Sequence, residues 1–451
     1  LEEHSTAMMF RCFLPGQEKE NLFMRFGILP QFKTRICLDL DLLDNRTIFT
    51  NRTPGTLKLV VHGQRTQREE VERFELGMDE MFHDVKVRFE NFTMSDTMPE
   101  EFPVPSKKLV DEFGQWMGKE WPGKVHSREE LKEKYQALEG KAEYPFPEWN
   151  VWGGDKTRKL KEGTGFFSTC KTPDGRWHLT DPEGCDYFSL GPCGTRAGEW
   201  GRIDSFENCC EWLPEEDAQY AEFFEEGSRR RTAYMPVDHY RMANFSGMNL
   251  KKIYGDDWKE KWEEISCHIL MNNGINSQGN FPGIAVNNGR SKMAYVRELP
   301  DFPVTDTLIF RDFPDVLSPE YEEKSRIYAE KLEEWKHDPW LIGYFLRNEP
   351  EFNFVENLAI ADEVLRNPAQ TFCRKGLIAF LKERYVTIEA LNQAWKTDFG
   401  SFAALEGPVA DCSARYPGSR KDIREFSGRL ITEYIRVPSV ACRKVDPNHL
   451  N

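Results

Sequence analysis

The sequence has 451 residues, a formal net charge of -15 and a pI near 5.3, so it is strongly acidic and long enough for two or three domains. An acidic chain without a basic stripe argues against nucleic acid or an anionic membrane as a partner, and it suits a neutral substrate such as a sugar. Apolar runs stay well below the roughly 20 residues of a membrane-spanning helix, so no membrane partner is predicted.

The 11 cysteines are scattered singly apart from Cys209-Cys210, and no CxxC pair is present. This usage gives no support to zinc or redox motifs, and it fits a reducing compartment better than a disulfide framework. We therefore expect no metal or other cofactor and a cytoplasmic location. Because the chain begins at Leu1, a removed leader leaves a secreted or periplasmic location open.

Residues 1–105 contain short segments in which apolar and polar residues alternate, which is the period of a half-buried strand. These segments are residues 35–42, 56–62 and 85–89, and turn clusters such as 51–55 separate them. Several short strands without intervening helices predict an antiparallel β-sandwich domain, similar to a carbohydrate-binding module. Such a domain can bind sugar or only pack against its neighbour, and packing is the simpler interpretation.

Residues 106–160 are predicted to form a connecting segment, which follows a proline-rich stretch at 99–105. Within it, Ser127 and Glu130 have the spacing of a capping box, in which the two residues satisfy each other's free backbone N–H groups. The sequence therefore predicts a short helix that runs from this box to Leu138.

From residue 161 to residue 451 the pattern changes to strands that alternate with helices. The predicted strands are residues 187–191, 275–280 and 341–346, and the predicted helices are residues 258–273, 321–335, 369–385 and 424–445. Such alternation predicts an α/β fold with a parallel sheet. Because no Gly-rich phosphate loop follows a strand, we expect a (β/α)8 TIM barrel rather than a nucleotide-binding sheet.

The apolar strand at 341–346 ends in polar residues, Asn348 and Glu349, and is followed by Pro350. In a parallel barrel the carboxyl ends of the strands form the active-site face. A carboxylic acid walled there by aromatic residues such as Tyr344 can have its pKa raised by desolvation, as a general acid requires. The alternative interpretation is that Glu349 is an ordinary surface residue, and the neighbouring Glu351 is the second candidate.

This Asn-Glu pair resembles the fourth-strand signature of the clan of (β/α)8 retaining glycosidases. More narrowly, residues 106–451 resemble the β-agarases of glycoside hydrolase family 50, and more distantly the β-galactosidases of family 42. The matching segments are 110–115, 121–125, 163–167, 174–177, 181–184, 187–191, 274–280, the Glu349 segment, and Tyr385 with 388–395. The resemblance implies that Glu349 is the catalytic acid/base and that Asn348 contacts the substrate 2-OH.

The sequence also departs from the agarase pattern. Arg347 stands where the family has Asp, Cys185 stands where a His is expected, and Pro350-Glu351-Phe352 replaces a more apolar loop. These changes are expected near the pocket, where they leave the reaction class intact and put agarose specificity in question.

A retaining enzyme needs a second carboxylate about 5–5.5 Å from the first, which in this clan follows the seventh strand. We expect that nucleophile beyond residue 451, so the barrel is expected to be incomplete in this chain. Because a half barrel would expose unpaired strand edges, we expect the sequence to be part of a longer protein, with a divergent complete fold as the alternative. Supporting substrate contacts are predicted at Asn280 and Phe281, just past the second strand, and at Trp200, a stacking platform in the preceding loop.

The resulting hypothesis is a retaining glycoside hydrolase that cleaves β-galactosidic linkages in agar-type or related galactan oligosaccharides. The resemblance implies exo-action, and it leaves self-association into a homo-oligomer open. Two alternatives remain: a β-galactosidase of family 42 type, and a catalytically inactive sugar-binding barrel.

Overall fold

The computed structural model describes residues 5–30, 32–50, 52–78, 84–104, 107–198, 200–229, 238–282 and 292–451. The chain divides into two compact units. The first unit is Leu1–Gly140, Arg196–Ile265 and Phe354–Glu356, and the second is Lys141–Thr195, Ser266–Asn353 and Asn357–Asn451. Because the chain passes between the units several times, they differ from the predicted consecutive domains 1–105, 106–160 and 161–451. The boundary at 105–106 lies outside the described residues.

The regular elements are numbered in chain order. The strands are β1 Thr6–Phe13, β2 Leu22–Ile28, β3 Thr56–Gly63, β4 Arg73–Gly77, β5 Asp155–Lys159, β6 Ser168–Lys171, β7 Trp177–Thr180, β8 Cys185–Tyr187, β9 Gly201–Arg202, β10 Phe224–Arg229, β11 Asp238–Ala243, β12 Ser277–Gln278, β13 Ala294–Glu298, β14 Leu308–Phe310, β15 Phe313–Pro314 and β16 Leu341–Phe345. The helices are α1 Arg128–Gln136, α2 Phe245–Tyr254, α3 Trp258–Asn272, α4 Pro319–Glu330, α5 Ile360–Arg366, α6 Phe372–Tyr385, α7 Ile388–Trp395, α8 Cys412–Arg415 and α9 Arg420–Val445. No helix of the described residues is long and apolar enough to cross a membrane.

In the first unit an antiparallel sheet with the strand order β3-β2-β1-β4 carries the core of the N-terminal segment. The predicted strand at 56–62 is confirmed as β3. The predicted strands at 35–42 and 85–89 are wrong, because 40–44 is a 3-10 helix and 85–89 has no regular structure. Their apolar residues, which include Ile36, Leu38 and Val87, pack against the sheet. The alternation of apolar and polar residues in these two segments therefore reflects burial of one side of each segment, without hydrogen-bonded pairing to a neighbouring strand.

A single sheet accounts for the strands that the structure describes in residues 1–105. The second sheet that a sandwich needs is not among these described strands. The same unit contains a second antiparallel sheet, with the order β10-β11-β9, which comes from a later part of the chain. The antiparallel character of this region is therefore established, whereas the sandwich stays a prediction.

Helix α1 begins at the predicted capping box. The Ser127 hydroxyl accepts a hydrogen bond from the backbone N–H of Glu130, at 3.2 Å. In return the Glu130 carboxylate accepts from the backbone N–H of His126, at 2.9 Å, one residue earlier than the usual box. The predicted helix start is thus confirmed, and α1 ends at Gln136, close to the predicted Leu138.

The second unit contains a parallel array in which spatial order follows chain order. Strands β12, β13 and β16 are parallel neighbours. Backbone hydrogen bonds from residues 276–279 to Leu190 and Pro192 add a parallel segment on one side. A parallel bridge between Gly343 and Leu450 adds another on the far side. The predicted strand at 341–346 is confirmed, while the first parallel segment lies at 190–192, slightly later than predicted.

Helices of the second unit meet at a buried carboxylate. Asp422 of α9 accepts hydrogen bonds from the Tyr385 hydroxyl, at 2.6 Å, from the Trp395 indole, at 2.7 Å, and from Arg384. These partners belong to the segment around 385–395 that carries part of the family resemblance. Its shared residues therefore have a packing role, because they join α6, α7 and α9.

The Leu450 segment is held beside β16 by a buried polar cluster. The Asp446 carboxylate accepts a hydrogen bond from the Tyr344 hydroxyl, at 2.6 Å, and lies 2.7 Å from Nδ1 of His449. The other ring nitrogen of His449 lies 2.9 Å from the backbone carbonyl of Asp338. Burial alone would raise the pKa of Asp446, but the hydrogen bonds from His449 and Tyr344 more than offset it, so this pKa lies below its ordinary value.

We expect Asp446→Asn to lower the free energy of unfolding at pH 7 by roughly 1–3 kcal/mol, because it breaks a buried hydrogen-bonded cluster. The folded-state pKa is depressed, so the stabilisation is complete above the unfolded pKa of about 3.9 and is lost as the pH falls through the folded pKa. The difference in urea unfolding midpoint between the wild type and the variant should therefore be constant above about pH 4 and should shrink as the pH falls below it. Asp398→Asn, at an exposed position, is the control. A midpoint difference between the wild type and Asp446→Asn that stays constant down to pH 3 would contradict the role of the Asp446 carboxylate.

Candidate active site

The carboxyl ends of the parallel segments form one edge of the second unit. Asn280 follows β12, and Asn348 and Glu349 follow β16, while Pro192 ends the first parallel segment. Since parallel strands all end at the same edge, the topology brings the predicted residues of two separate segments to the same face. Phe281 lies beside Asn280 on this face and is half-buried.

Glu349 has an exposed side chain and an uncommon backbone conformation. Its φ of 41° lies in the left-handed region, which a residue with a side chain adopts only when its surroundings enforce it. The expected desolvation is not found among the described residues, because Glu349 is exposed and the Tyr344 hydroxyl is bonded to Asp446. Asn348 is half-buried. The site is therefore an open, conformationally fixed carboxylate with an amide beside it.

The segment that carries Glu349 is held by residues that the sequence analysis missed. Asp312 accepts hydrogen bonds from Arg347 and from the backbone N–H groups of Glu351 and Phe352. Burial alone would lower the pKa of Arg347, but the Asp312 carboxylate raises it above its ordinary value. The signal in the sequence was Arg347 itself, because an arginine at a strand end in place of an acid calls for a carboxylate partner.

Asn280 is a buried side chain without a partner in the part of the chain that the structure describes. Its residue is 8% exposed, and neither Oδ1 nor Nδ2 has a hydrogen bond. Asn276, on the same segment, is the opposite case. Its Nδ2 donates to the carbonyls of Gly153 and Phe188, and its Oδ1 accepts from Leu190. An unpaired buried amide costs free energy, which a ligand that supplies both partners can recover.

Trp200 is half-buried and precedes β9 in the first unit, whereas Asn280 and Glu349 belong to the second. Cys185 is buried in β8, which belongs to an antiparallel sheet ahead of the first parallel segment. The expectation that Cys185 lies near the pocket stays a prediction. Glu351 is half-buried, and its backbone carbonyl accepts a hydrogen bond from Arg311.

Among the residues that the structure describes, no group of three or more His, Cys, Asp or Glu side chains could hold a metal ion.

Neighbouring parallel segments in chain order, with a carboxylate and amides at their carboxyl ends, are the arrangement that defines the (β/α) barrel enzymes. Glu349 and Asn348 place the candidate site on the face where these enzymes bind substrates.

Comparison with known proteins confirms the resemblance to β-agarases. The chain is 26% identical over 417 residues to β-agarase B of Vibrio sp. (strain JT0107), a match that covers 81% of this chain and 43% of that protein. The family model of the β-galactosidases of glycoside hydrolase family 42 matches residues 305–450, which include the Glu349 segment. The chain therefore resembles both groups, as predicted, and spans less than half the length of this curated relative.

Solved agarase structures show the same fold. One, described as an exo-β-agarase, has a TM-score of 0.67 and 22% identity, over 99% of this chain and 69% of its own. A second, described as an agarase, has a TM-score of 0.66 and 20% identity, over 100% of this chain and 69% of its own. The fold of the chain is thus that of glycoside hydrolases built on a TIM barrel.

Proposed function

We propose that the chain carries the acid/base half of the active site of a retaining glycoside hydrolase. Its substrates would be agar-type or related galactan oligosaccharides, cleaved at β-galactosidic linkages from a chain end. The observation that supports this most is the position of Glu349, at the carboxyl end of the fourth parallel segment, next to Asn348. The similarity to agarases supports the substrate class.

The proposed reaction assigns two successive roles to Glu349. In the first step a second carboxylate attacks the anomeric carbon while Glu349 donates its proton to the glycosidic oxygen, so the C–O bond breaks and the leaving sugar departs as an alcohol. In the second step Glu349, now ionised, takes a proton from water, which attacks the anomeric carbon and releases the enzyme carboxylate. Asn348 would hold the 2-OH, a contact that strengthens as positive charge develops on the ring.

The exposure of Glu349 fits this proposal if the bound sugar itself supplies the desolvation. A substrate ring laid over the strand ends removes water from around the carboxyl group, as a buried general-acid site requires. Catalytic contacts often tighten only in the enzyme–substrate complex, so an open carboxylate in the free protein is an acceptable starting point.

Hydrolysis of a panel of agar and β-galactan oligosaccharides by the full-length protein tests the proposal. We expect release of disaccharides from one end of the oligosaccharide. The new hemiacetal should first form as the β-anomer, which proton NMR can detect. Release of galactose alone would favour the β-galactosidase alternative, which the match to the family 42 model supports. Binding without cleavage would favour the sugar-binding alternative, and an α-anomer would contradict the retaining mechanism.

We predict that Asn280→Ala lowers kcat/KM roughly tenfold without lowering stability. The amide makes no hydrogen bond to the residues that the structure describes, so removing it relieves a desolvation cost of about 1–3 kcal/mol. Thermal unfolding and initial rates measure the two effects. Asn276→Ala is the matched control, since its amide is fully bonded within the protein and its loss should destabilise the fold. A destabilised Asn280→Ala variant with unchanged kcat/KM would reverse the assignment.

A further inference from the structure

The turn of the β14–β15 hairpin points to a function beyond the connection of two strands. Phe310 pairs with Phe313, so Arg311 and Asp312 form a two-residue turn. Arg311 has a φ of 48°, in the left-handed region that such tight turns use. Both turn residues direct their side chains to the segment that follows β16.

Contacts from this turn hold that segment on both sides of Asn348 and Glu349. On the near side, Asp312 pairs with Arg347. On the far side, the same carboxylate accepts from the backbone N–H of Glu351, at 2.9 Å, and of Phe352, at 3.1 Å. Arg311 donates to the carbonyl of Glu351, at 2.6 Å. The backbone that carries Glu349 is therefore fixed at its two ends by one rigid turn.

The carboxylate is suited to this task by its charge and its burial. The Asp312 side chain is 16% exposed, so its bonds to a guanidinium and two amides are partly shielded from water. Charge-assisted hydrogen bonds of this kind are about twice as strong as neutral ones. An asparagine of the same shape would keep one acceptor oxygen and turn an amide N–H₂ group toward a donor.

The surrounding core leaves little freedom to adjust. The Tyr434 ring has its centroid 4.9 Å from that of Phe302, 5.3 Å from that of Phe313 and 5.2 Å from that of Phe352. The guanidinium carbon of Arg347 lies 5.8 Å from the Phe302 ring. The hairpin, the far end of the segment and Arg347 thus share one aromatic cluster, which is as incompressible as other well-packed cores.

We propose that Asp312 is a positioning residue for Glu349. Asp312 acts through Arg347 and through the backbone of Glu351 and Phe352. The inference rests on the proposed acid/base role of Glu349 and adds to it the device that holds the strained φ of 41°. It also explains the departure at Arg347, because the acid that the family pattern has at that position is supplied here by the neighbouring hairpin.

Aryl β-galactosides with leaving groups of different pKa test this in the full-length protein. A dinitrophenolate leaves without a proton, whereas an alkoxide or a simple phenolate needs one from the acid. We expect Asp312→Asn to lower kcat/KM roughly 10- to 100-fold for poor leaving groups, since misplacing a catalytic group by about 1 Å has effects of this size. For the dinitrophenyl substrate we expect less than about a threefold loss, because positioning of the acid is not needed there.

Two further variants keep the test decisive. Asp306→Asn is the matched control, because Asp306 precedes the same hairpin and pairs with Lys324 on the surface. It should behave as the wild type with every substrate. Arg347→Met removes the ion pair but leaves Asp312 bonded to the backbone, so it should show the same leaving-group dependence, more weakly, even if Asp312→Asn does not fold. If Asp312→Asn and Arg347→Met each lose kcat/KM equally with all leaving groups, the role of Asp312 is merely structural and the inference is overturned.

Glu349→Gln separates failure of the inference from failure of the proposed function. If this variant shows the leaving-group dependence and the Asp312 and Arg347 variants do not, Glu349 is the acid and the positioning role of Asp312 is wrong. If Glu349→Gln cleaves the poor substrates as well as the wild type, the acid assignment is wrong and the inference fails with it.

Discussion

Glu349→Gln should lower kcat/KM for galactan oligosaccharides by roughly 10²–10⁴-fold, which is the range that a positioned general acid contributes. Glutamine has nearly the same shape as a protonated glutamic acid, but it cannot transfer the proton that the leaving sugar requires. Binding should therefore change little. Because the Glu349 side chain is exposed, the variant should also fold and unfold as the wild type does.

Glu351→Gln is the matched control for this prediction, since it removes a carboxylate two positions along the same segment. The backbone N–H and carbonyl of Glu351 bond to the hairpin, and the substitution leaves both in place. Initial rates of sugar release, with thermal unfolding alongside, measure both variants. A large loss in Glu351→Gln together with a small loss in Glu349→Gln would move the acid to the second candidate.

Arg374→Met should destabilise the second unit by about 3–5 kcal/mol, as expected when a buried hydrogen-bond network loses its central donor. Arg374 is fully buried in α6, and its guanidinium donates to backbone carbonyls. These acceptors are the carbonyls of Val364, Leu365, Asn367, Leu405, Glu406 and Gly407. The carbonyls of Val364 and Leu365 belong to the last turn of α5, where no intrahelical partner exists and the helix dipole favours a cation.

Methionine fills part of the volume but removes the shared donor of these carbonyls. Among the described residues, only two of them keep a second hydrogen bond: Leu365 accepts from the backbone N–H of Val409, and Glu406 accepts from the Gln370 side chain. Lys375→Met, at the adjacent exposed position of α6, removes the same charge and should change stability by less than about 0.5 kcal/mol. Urea unfolding followed by circular dichroism compares the two variants. An Arg374→Met protein as stable as Lys375→Met would mean that the carbonyls find other partners.

Local pattern was sufficient where the physical cause is local. The strand β16 and the Ser127 box of α1 were predictable, because apolar runs, caps and prolines act within a few residues. The alternation at residues 35–42 gave a wrong strand, because burial on one side produces the same period whether or not a strand pairs. Period alone therefore cannot separate a strand from an extended segment that packs on a sheet.

The candidate site shows the same division. Position after a strand was enough to select Asn280 and Glu349. The sequence does not distinguish Asn280 from Asn276, because the partners of such amides come from distant segments. Among the described residues, the Asn280 amide has no hydrogen-bond partner and the Asn276 amide is fully bonded. Asp312 and Arg374 were missed for that reason. Their roles arise from contacts with segments far along the chain, and each looks in the sequence like an ordinary surface charge.

The most direct test of the acid/base role is rescue of Glu349→Ala by sodium azide, with an activated aryl β-galactoside as substrate. Removing the base leaves the covalent intermediate to accumulate, and azide can attack it without proton removal in the space that the side chain vacated. We predict that azide restores turnover and yields a β-galactosyl azide, identified by NMR. A variant that azide leaves unchanged while it still releases galactose at the wild-type rate would contradict the role of Glu349.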